Sequence, residues 1–235
     1  MTSENPKITI SYFPIGGRAE PIRLACAVSK IPFTNKVMSF PEFKEAKSTL
    51  PLGQLPILEL DYGETKKTLT QSTAMLRWIG KIGGLYPKDD DVTAMEIDEI
   101  LTVLDDLREP LVLTVRGKVK ALLSDDTEFT GEEKLAIRER WMKNTLPRFL
   151  GFIEKKLTTN EGSKWIVGND ISIADLALYC ELEWISGGIL DGIPTSVLDT
   201  YPACLTLMEN VKTNERIKSW KDKYSKPYSN FDYEP

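Results

Sequence analysis

Residues 53–76, "GQLPILELDYGETKKTLTQSTAML", decide how the first part of the chain is read. "LPILELDYG" and "KKTLTQS" are runs suited to strands, joined by an Asp61-Tyr62-Gly63 turn, and so predict a strand pair. "STAMLRWIGKIGG" follows with helical spacing and stops on Gly83-Gly84, residues suited to a helix end. Two details do not fit a plain strand–strand–helix unit. Proline cannot donate to a sheet ladder, so Pro56 at the entry of a strand calls for an edge, a strand start or a bulge. A cis Leu55–Pro56 bond is one solution, and it would turn the Leu55 N–H and C=O outward, free to pair with an extended peptide. The second detail is the polar pair Gln71-Ser72 at the helix opening. Such positions serve as caps, or as anion sites where unpaired N–H groups and the positive dipole end face outward. Together the two details describe a site for a short acidic peptide, paired through its backbone and held by its carboxylate. The alternative is a separate structural role for each.

Upstream, "KITISYF" (7–13) alternates as a strand, "PIGG" turns, and "RAEPIRLACAVSKI" (18–31) has helical spacing with Pro21 in its first turn. A second strand is expected around "FTNKVMSF" (33–40) and a short helix at "PEFKEAKST" (41–49). The first 84 residues therefore read as an α/β domain, with residues 85–92 as an acidic linker. From residue 93 the pattern is helical throughout. "TAMEIDEILTVLDDLREPLVLTVRGKVKALL" (93–123) is one long stretch, with a kink expected near Pro110. "GEEKLAIRERWMKNTLPRFLGFIEKKL" (131–157), "SIADLALYCELEWISGGIL" (172–190) and "YPACLTLMENVKTNERIKSWKDKY" (201–224) continue it, so residues 93–235 read as an all-α domain. Ser172 and Asp175 form a capping box, with Ile171 and Leu176 spaced as its staple; this is a folding signal without a catalytic role.

Composition narrows the function. With 41% hydrophobic and 28% charged residues in 235, the chain can bury a core. A net charge of -5 without a dominant basic stripe argues against nucleic acid and acidic membranes; "IKSWKDKYSK" (217–226) reads as a solvated helix face. There is no apolar run long enough to span a bilayer and no targeting pattern near the start, so a cytoplasmic protein is expected. Cys26, Cys180 and Cys204 are scattered among apolar residues and read as buried thiols. The chain has no histidine, which removes Ser-His and Cys-His schemes and most zinc sites. Chemistry here must rest on Tyr, Lys, Arg, a carboxylate or a bound cofactor.

"ITISYFPIGGRAEPIRLA", "KSTLPLGQLPILEL" and "LTQSTAMLRWI" closely resemble the N-terminal domain of cytosolic glutathione S-transferases of the Tyr type, most of all the sigma class. "VLDDLREPL" and "SIADLALYCELEWI" resemble the helical domain of the same family, and the likeness spans roughly residues 7–225. It implies a thioredoxin-like domain followed by a helical bundle, usually in a homodimer. The helical domain would contribute the hydrophobic substrate site and dimer contacts. Glutathione is implied as co-substrate, with its thiolate attacking hydrophobic electrophiles. The resemblance gives Tyr12 the role of catalytic tyrosine, donating to the glutathione sulfur, with Arg18 beside it biasing the site toward thiolate or anchoring the loop. Leu55 and Pro56, with Gln54 beside them, match the loop that pairs with the cysteinyl residue. Gln71 and Ser72 match residues holding the γ-glutamyl carboxylate, and Lys47 one that pairs with the glycine carboxylate. Asp106, with Asp105 as fallback, matches an acid reaching the γ-glutamyl amine in the other subunit. A second-substrate pocket is implied between Phe13, Ile15 and Gly16 and the first helix of the second domain, with Arg108 and Leu113 as liners. The tail "KPYSNFDYEP" either folds over it, offering Tyr228 and Phe231, or is disordered.

The chain also departs from the family pattern. Phe43 stands where several classes carry tryptophan, and Leu52 where an aromatic interlocks two subunits. Residues 118–132 have no assignable counterpart, and Thr102 replaces one metal-sensing acid, so no metal is expected. Two alternatives follow from the resemblance: a glutathione-dependent isomerase of the prostaglandin D synthase kind, and a non-catalytic, crystallin-like binding protein. A cysteine-type reductase is disfavoured, since Cys26 falls deep in its helix.

Overall fold

The computed structural model describes residues 6–116, 129–224 and 226–235. Most of the segment to which the sequence reading assigns no counterpart, residues 118–128, therefore lies outside the described residues. The chain forms two compact units: residues up to Asp89 together with those from Lys212 onward, and residues Asp90–Val211.

The first unit begins with strand β1 (Lys7–Tyr12), a 3-10 turn (Gly17–Ala19), helix α1 (Glu20–Ser29) and strand β2 (Phe33–Val37). Helix α2 (Phe40–Ala46), strands β3 (Ile57–Asp61) and β4 (Lys66–Leu69) and helix α3 (Ser72–Gly83) follow. Each matches an element expected from the sequence. Pro21 sits in the first turn of α1, and α3 ends on Gly84 in the left-handed conformation. The strands form one mixed sheet of order β4-β3-β1-β2-β5, in which β1 and β2 are parallel and the other pairs antiparallel. Its core joins Ile8, Ile10, Leu58 and Leu60 to Ile22, Ala25 and Cys26 of α1 and to Met75, Leu76 and Ile79 of α3. A methyl group on Gly83 would collide with the Ser29 side chain, so α1 and α3 approach closely there because position 83 has no Cβ.

The fifth strand was not expected. The sequence reading placed residues 93–235 in one helical domain, yet α9 (Glu215–Lys223) packs on α1, and β5 (Phe231–Tyr233) pairs with β2. Phe231 and Tyr233 turn toward Phe33 and Trp220 while Asp232 is exposed. A three-residue strand has little pattern of its own; β5 exists because β2 offers an edge to pair with.

In the second unit, α4 (Asp91–Arg116) runs continuously through Pro110 and buries Ile97, Ile100, Leu104, Leu107 and Leu111 at alternating three- and four-residue spacing. The single helix expected over 131–157 is interrupted. α5 (Gly131–Arg140) passes through a π-turn (Trp141–Thr145) into α6 (Leu146–Thr159). Pro147 in the first turn of α6 has no N–H to give, and the Leu146 N–H reaches back to Trp141 instead. α7 (Ile173–Ser186) opens on the expected capping box: Asp175 accepts from the Ser172 N–H and hydroxyl at 2.8 Å each and from the Ile166 N–H at 2.8 Å. α8 (Pro202–Lys212) closes the unit, and Asn214 caps the following helix in its place as α9. No helix among the described residues is long and apolar enough to cross a membrane.

Candidate active site

Strand register brings the expected first-unit residues to one end of the sheet. Ser11 pairs with Ile57, so Tyr12 at the end of β1 lies beside Pro56 at the start of β3. Leu58 pairs with Leu69, so β4 delivers Thr70, Gln71 and Ser72 to the same end. Tyr12 also pairs with Val37 in parallel β2, whose continuation carries Phe40, Phe43 and Lys47 on or next to α2.

Each position has its own local cause. The Leu55–Pro56 bond is cis, and neither backbone group of Leu55 appears among the turn and loop hydrogen bonds of the described residues. Gly53, at φ +57°, lies against Lys47: a Cβ there would stand 3.3 Å from the Lys47 carbonyl oxygen. The loop bearing Gln54 and the exposed lysine are thus neighbours. Gln71 holds φ 71° and ψ 101° as it opens α3, its side chain making no capping bond. A non-glycine residue in that region costs on the order of 1–3 kcal/mol, a strain that concentrates at functional sites. Gln71 is therefore no ordinary helix cap.

Tyr12 is 7% exposed, and its hydroxyl accepts from the Arg18 N–H at 3.2 Å. Gly17, at φ +49°, makes this return possible, since a Cβ there would lie 2.7 Å from the Tyr12 hydroxyl oxygen. Arg18 thus supplies a backbone donor as well as its half-buried side chain. Phe13 meets the Tyr12 ring edge-on at 5.3 Å, stacks on Phe40 at 4.5 Å and meets Phe43 at 5.1 Å. Phe40, 62% exposed, completes an aromatic shelf and was missed by sequence reading; its signal was an apolar ring at the opening of a polar helix. Ile15 is exposed and Gly16 is buried in the loop between them.

Two buried charges were also missed. Glu20 and Arg23, one helical turn apart on α1, are 2% and 0% exposed, with Arg23 Nη1 3.4 Å from Glu20 Oε2. Burial pulls the Arg23 pKa below its ordinary value, against the upward pull of Glu20. An i,i+3 acid–base pair inside an otherwise apolar helix was the available signal.

The remaining predicted residues belong to the second unit. Asp106 is exposed on α4, Asp105 and Leu113 are half-buried. Arg108, expected as a pocket liner, pairs with α7: its Nε and Nη2 lie 2.5 Å from Glu181 Oε2, and its guanidinium sits 5.0 Å from the Trp184 ring. No group of three or more His, Cys, Asp or Glu side chains among the described residues is arranged to hold a metal ion.

Comparison with known proteins bears on this geometry. The family model described as "Glutathione S-transferase, C-terminal domain" matches residues 118–224. Glutathione S-transferase P 1 of Xenopus laevis is 30% identical over 224 residues, covering 92% of each chain. S-crystallin 4 of Enteroctopus dofleini is 25% identical over 94% of this chain and 98% of its own. The structure of prostaglandin synthase D of Nilaparvata lugens superposes with a TM-score of 0.79 at 24% identity, covering 94% and 99% of the two chains. A buried tyrosine at the end of β1, a cis Leu55–Pro56 turn and a strained helix opening at one end of a thioredoxin-like sheet, followed by a helical domain, thus occur in a chain that belongs to the glutathione S-transferase family.

Proposed function

We propose that the chain is a sigma-type glutathione transferase in which Tyr12 holds the glutathione sulfur as thiolate. The observation that carries this reading is the Arg18 N–H donated to the Tyr12 hydroxyl oxygen. With a lone pair of that oxygen already occupied by a donor, the phenolic proton is left to point at an acceptor, and the phenol becomes a better donor. Lowering a thiol pKa by ~2 units takes roughly 2.7 kcal/mol of preferential stabilisation, the scale of one or two charge-assisted hydrogen bonds. No histidine is needed.

In this reading the Leu55 backbone pairs with the cysteinyl residue, Gln71 and Ser72 receive the γ-glutamyl carboxylate, and Lys47 the glycine carboxylate, with Gln54 and Phe43 alongside. Asp106, exposed on α4, serves a second copy of the chain in a homodimer. The thiol proton leaves to solvent on binding. The thiolate then forms a carbon–sulfur bond with the electrophile, whose leaving group departs with the bonding electrons. The Phe13–Phe40–Phe43 shelf receives the apolar part of that electrophile, with Ile15 and Gly16 beside it. A cytoplasmic setting suits this chemistry, and Cys26, Cys180 and Cys204 are buried and in no disulfide.

The test is a Tyr12→Phe variant with glutathione bound, titrated by thiolate absorbance. The midpoint is expected to rise by about 1–2 pH units, with conjugating activity down ~10–100-fold near neutrality. An unchanged midpoint removes Tyr12 from the mechanism.

A further inference from the structure

We infer that the segment Lys226–Tyr233 is a strap that positions the Tyr12 hydroxyl, with Tyr228 as its working residue, acting through Glu20 and Arg23; this rests on the reading of Tyr12 given above. The loop leaving β1 exposes three successive carbonyls, and each is held. The Pro14 oxygen accepts from the Tyr228 N–H at 3.0 Å, the Ile15 oxygen from Arg23 Nη1 at 2.9 Å, and the Gly16 oxygen from the Glu20 N–H at 3.1 Å. Immediately after this loop comes Arg18, whose N–H reaches Tyr12.

The strap also orients the second of these donors. The Tyr228 hydroxyl donates to Glu20 Oε1 at 2.7 Å, Lys226 Nζ lies 3.6 Å from the same oxygen, and Glu20 Oε2 faces Arg23. The Tyr228 ring covers the Arg23 guanidinium at 4.4 Å, and the Tyr12 ring lies 5.9 Å from it on the same cation. Arg23 Nε donates to Asn35 Oδ1 at 2.9 Å, and Asn35 Nδ2 donates to the Ser229 carbonyl at 2.8 Å, closing the circuit back to the strap. Arg23 Nη2 has no hydrogen-bond partner among the described residues, so the guanidinium depends on these few contacts for its orientation. On the other side of Tyr12, the Asn230 side chain accepts from the Val37 N–H at 2.6 Å, beside the Tyr12–Val37 pair.

A polar network this deeply buried holds one arrangement because every alternative leaves a charge unpaired. A reacting hydroxyl needs its position fixed within roughly 0.5 Å. Glu20, Arg23 and Tyr228 are positioning residues here, since none is placed against the sulfur.

The experiment titrates bound glutathione by thiolate absorbance in the full chain and in Tyr228→Phe, Glu20→Gln, Tyr12→Phe and the Tyr12→Phe/Tyr228→Phe double variant, with thermal midpoints measured alongside. Tyr228→Phe keeps the ring and removes only the hydroxyl; Glu20→Gln reads the same network should the first variant fold too poorly to titrate. The expected result is a midpoint raised by about half a pH unit or more in either variant, a threefold or greater loss of thiolate at lower pH. The double variant should titrate like Tyr12→Phe alone. If Tyr12→Phe shifts the midpoint while Tyr228→Phe and Glu20→Gln leave it in place, or if the double variant shifts further than Tyr12→Phe, the strap is overturned and the tyrosine mechanism stands. If Tyr12→Phe itself shifts nothing, both readings fall together.

Discussion

At Gln71 a single backbone torsion departs from what a helix cap needs. Its left-handed φ serves no capping bond, and glycine would occupy the same torsions without the penalty. Gln71→Gly is therefore expected to raise the stability of the chain by up to about 1 kcal/mol in denaturant unfolding, while raising KM for glutathione severalfold. A loss of stability, or an unchanged KM, would count against a strained carboxylate site. This residue was legible in the sequence because helix openings announce themselves locally. The positions of Tyr12 and Leu55-Pro56 were legible for the same reason, lying at a strand end and at a proline-marked strand entry. The i,i+3 spacing of Glu20 and Arg23 was visible too, but their burial was not, because what permits two buried charges on α1 is Tyr228, far away in sequence.

Elements differ in how far their own residues determine them. α7 carries its start signal within four residues, and the capping box formed as its spacing required. Asp175 within it is 0% exposed, and burial pushes its carboxyl up to about 6 from an ordinary 3.8, against the downward pull of the hydrogen bonds it accepts. The folded state then binds this proton more tightly than the unfolded chain. The Asp175 contribution to stability is fullest below pH ~4, is lost as pH rises through ~6, and stays level above. Asp175→Asn should flatten that slope: the difference in urea midpoint between pH 4.5 and 7 is expected to shrink relative to the parent chain. An unchanged slope would place the titration elsewhere. β5 and the π-turn at Trp141–Thr145 were illegible for a shared reason. One needs the edge of β2 and the other a compromise between Pro147 and the helix before it, and neither is a periodicity.

For the molecule as a whole, the alternation of strand and helix followed by helix alone was enough to give two architectures in order, but the return of the chain to its first unit was not. Three buried thiols are distributed over the two units, and burial raises the Cys26 and Cys204 pKa values far above the ordinary thiol range, with the neighbouring Glu154 carboxylate adding to the rise at Cys204. Native protein is expected to react with a thiol-specific disulfide reagent at the rate of unfolding or sub-global opening, all three sites becoming reactive in denaturant. Rapid labelling of a native thiol would contradict that enclosure. The discontinuity of the first unit has a further result for biosynthesis. The ribosome must produce residues 90–211 before α9 and β5 exist. Until then the nascent sheet exposes the edge of β2 and the apolar face of α1, so this unit emerges first yet is completed later, and chaperone attention should centre on that waiting surface.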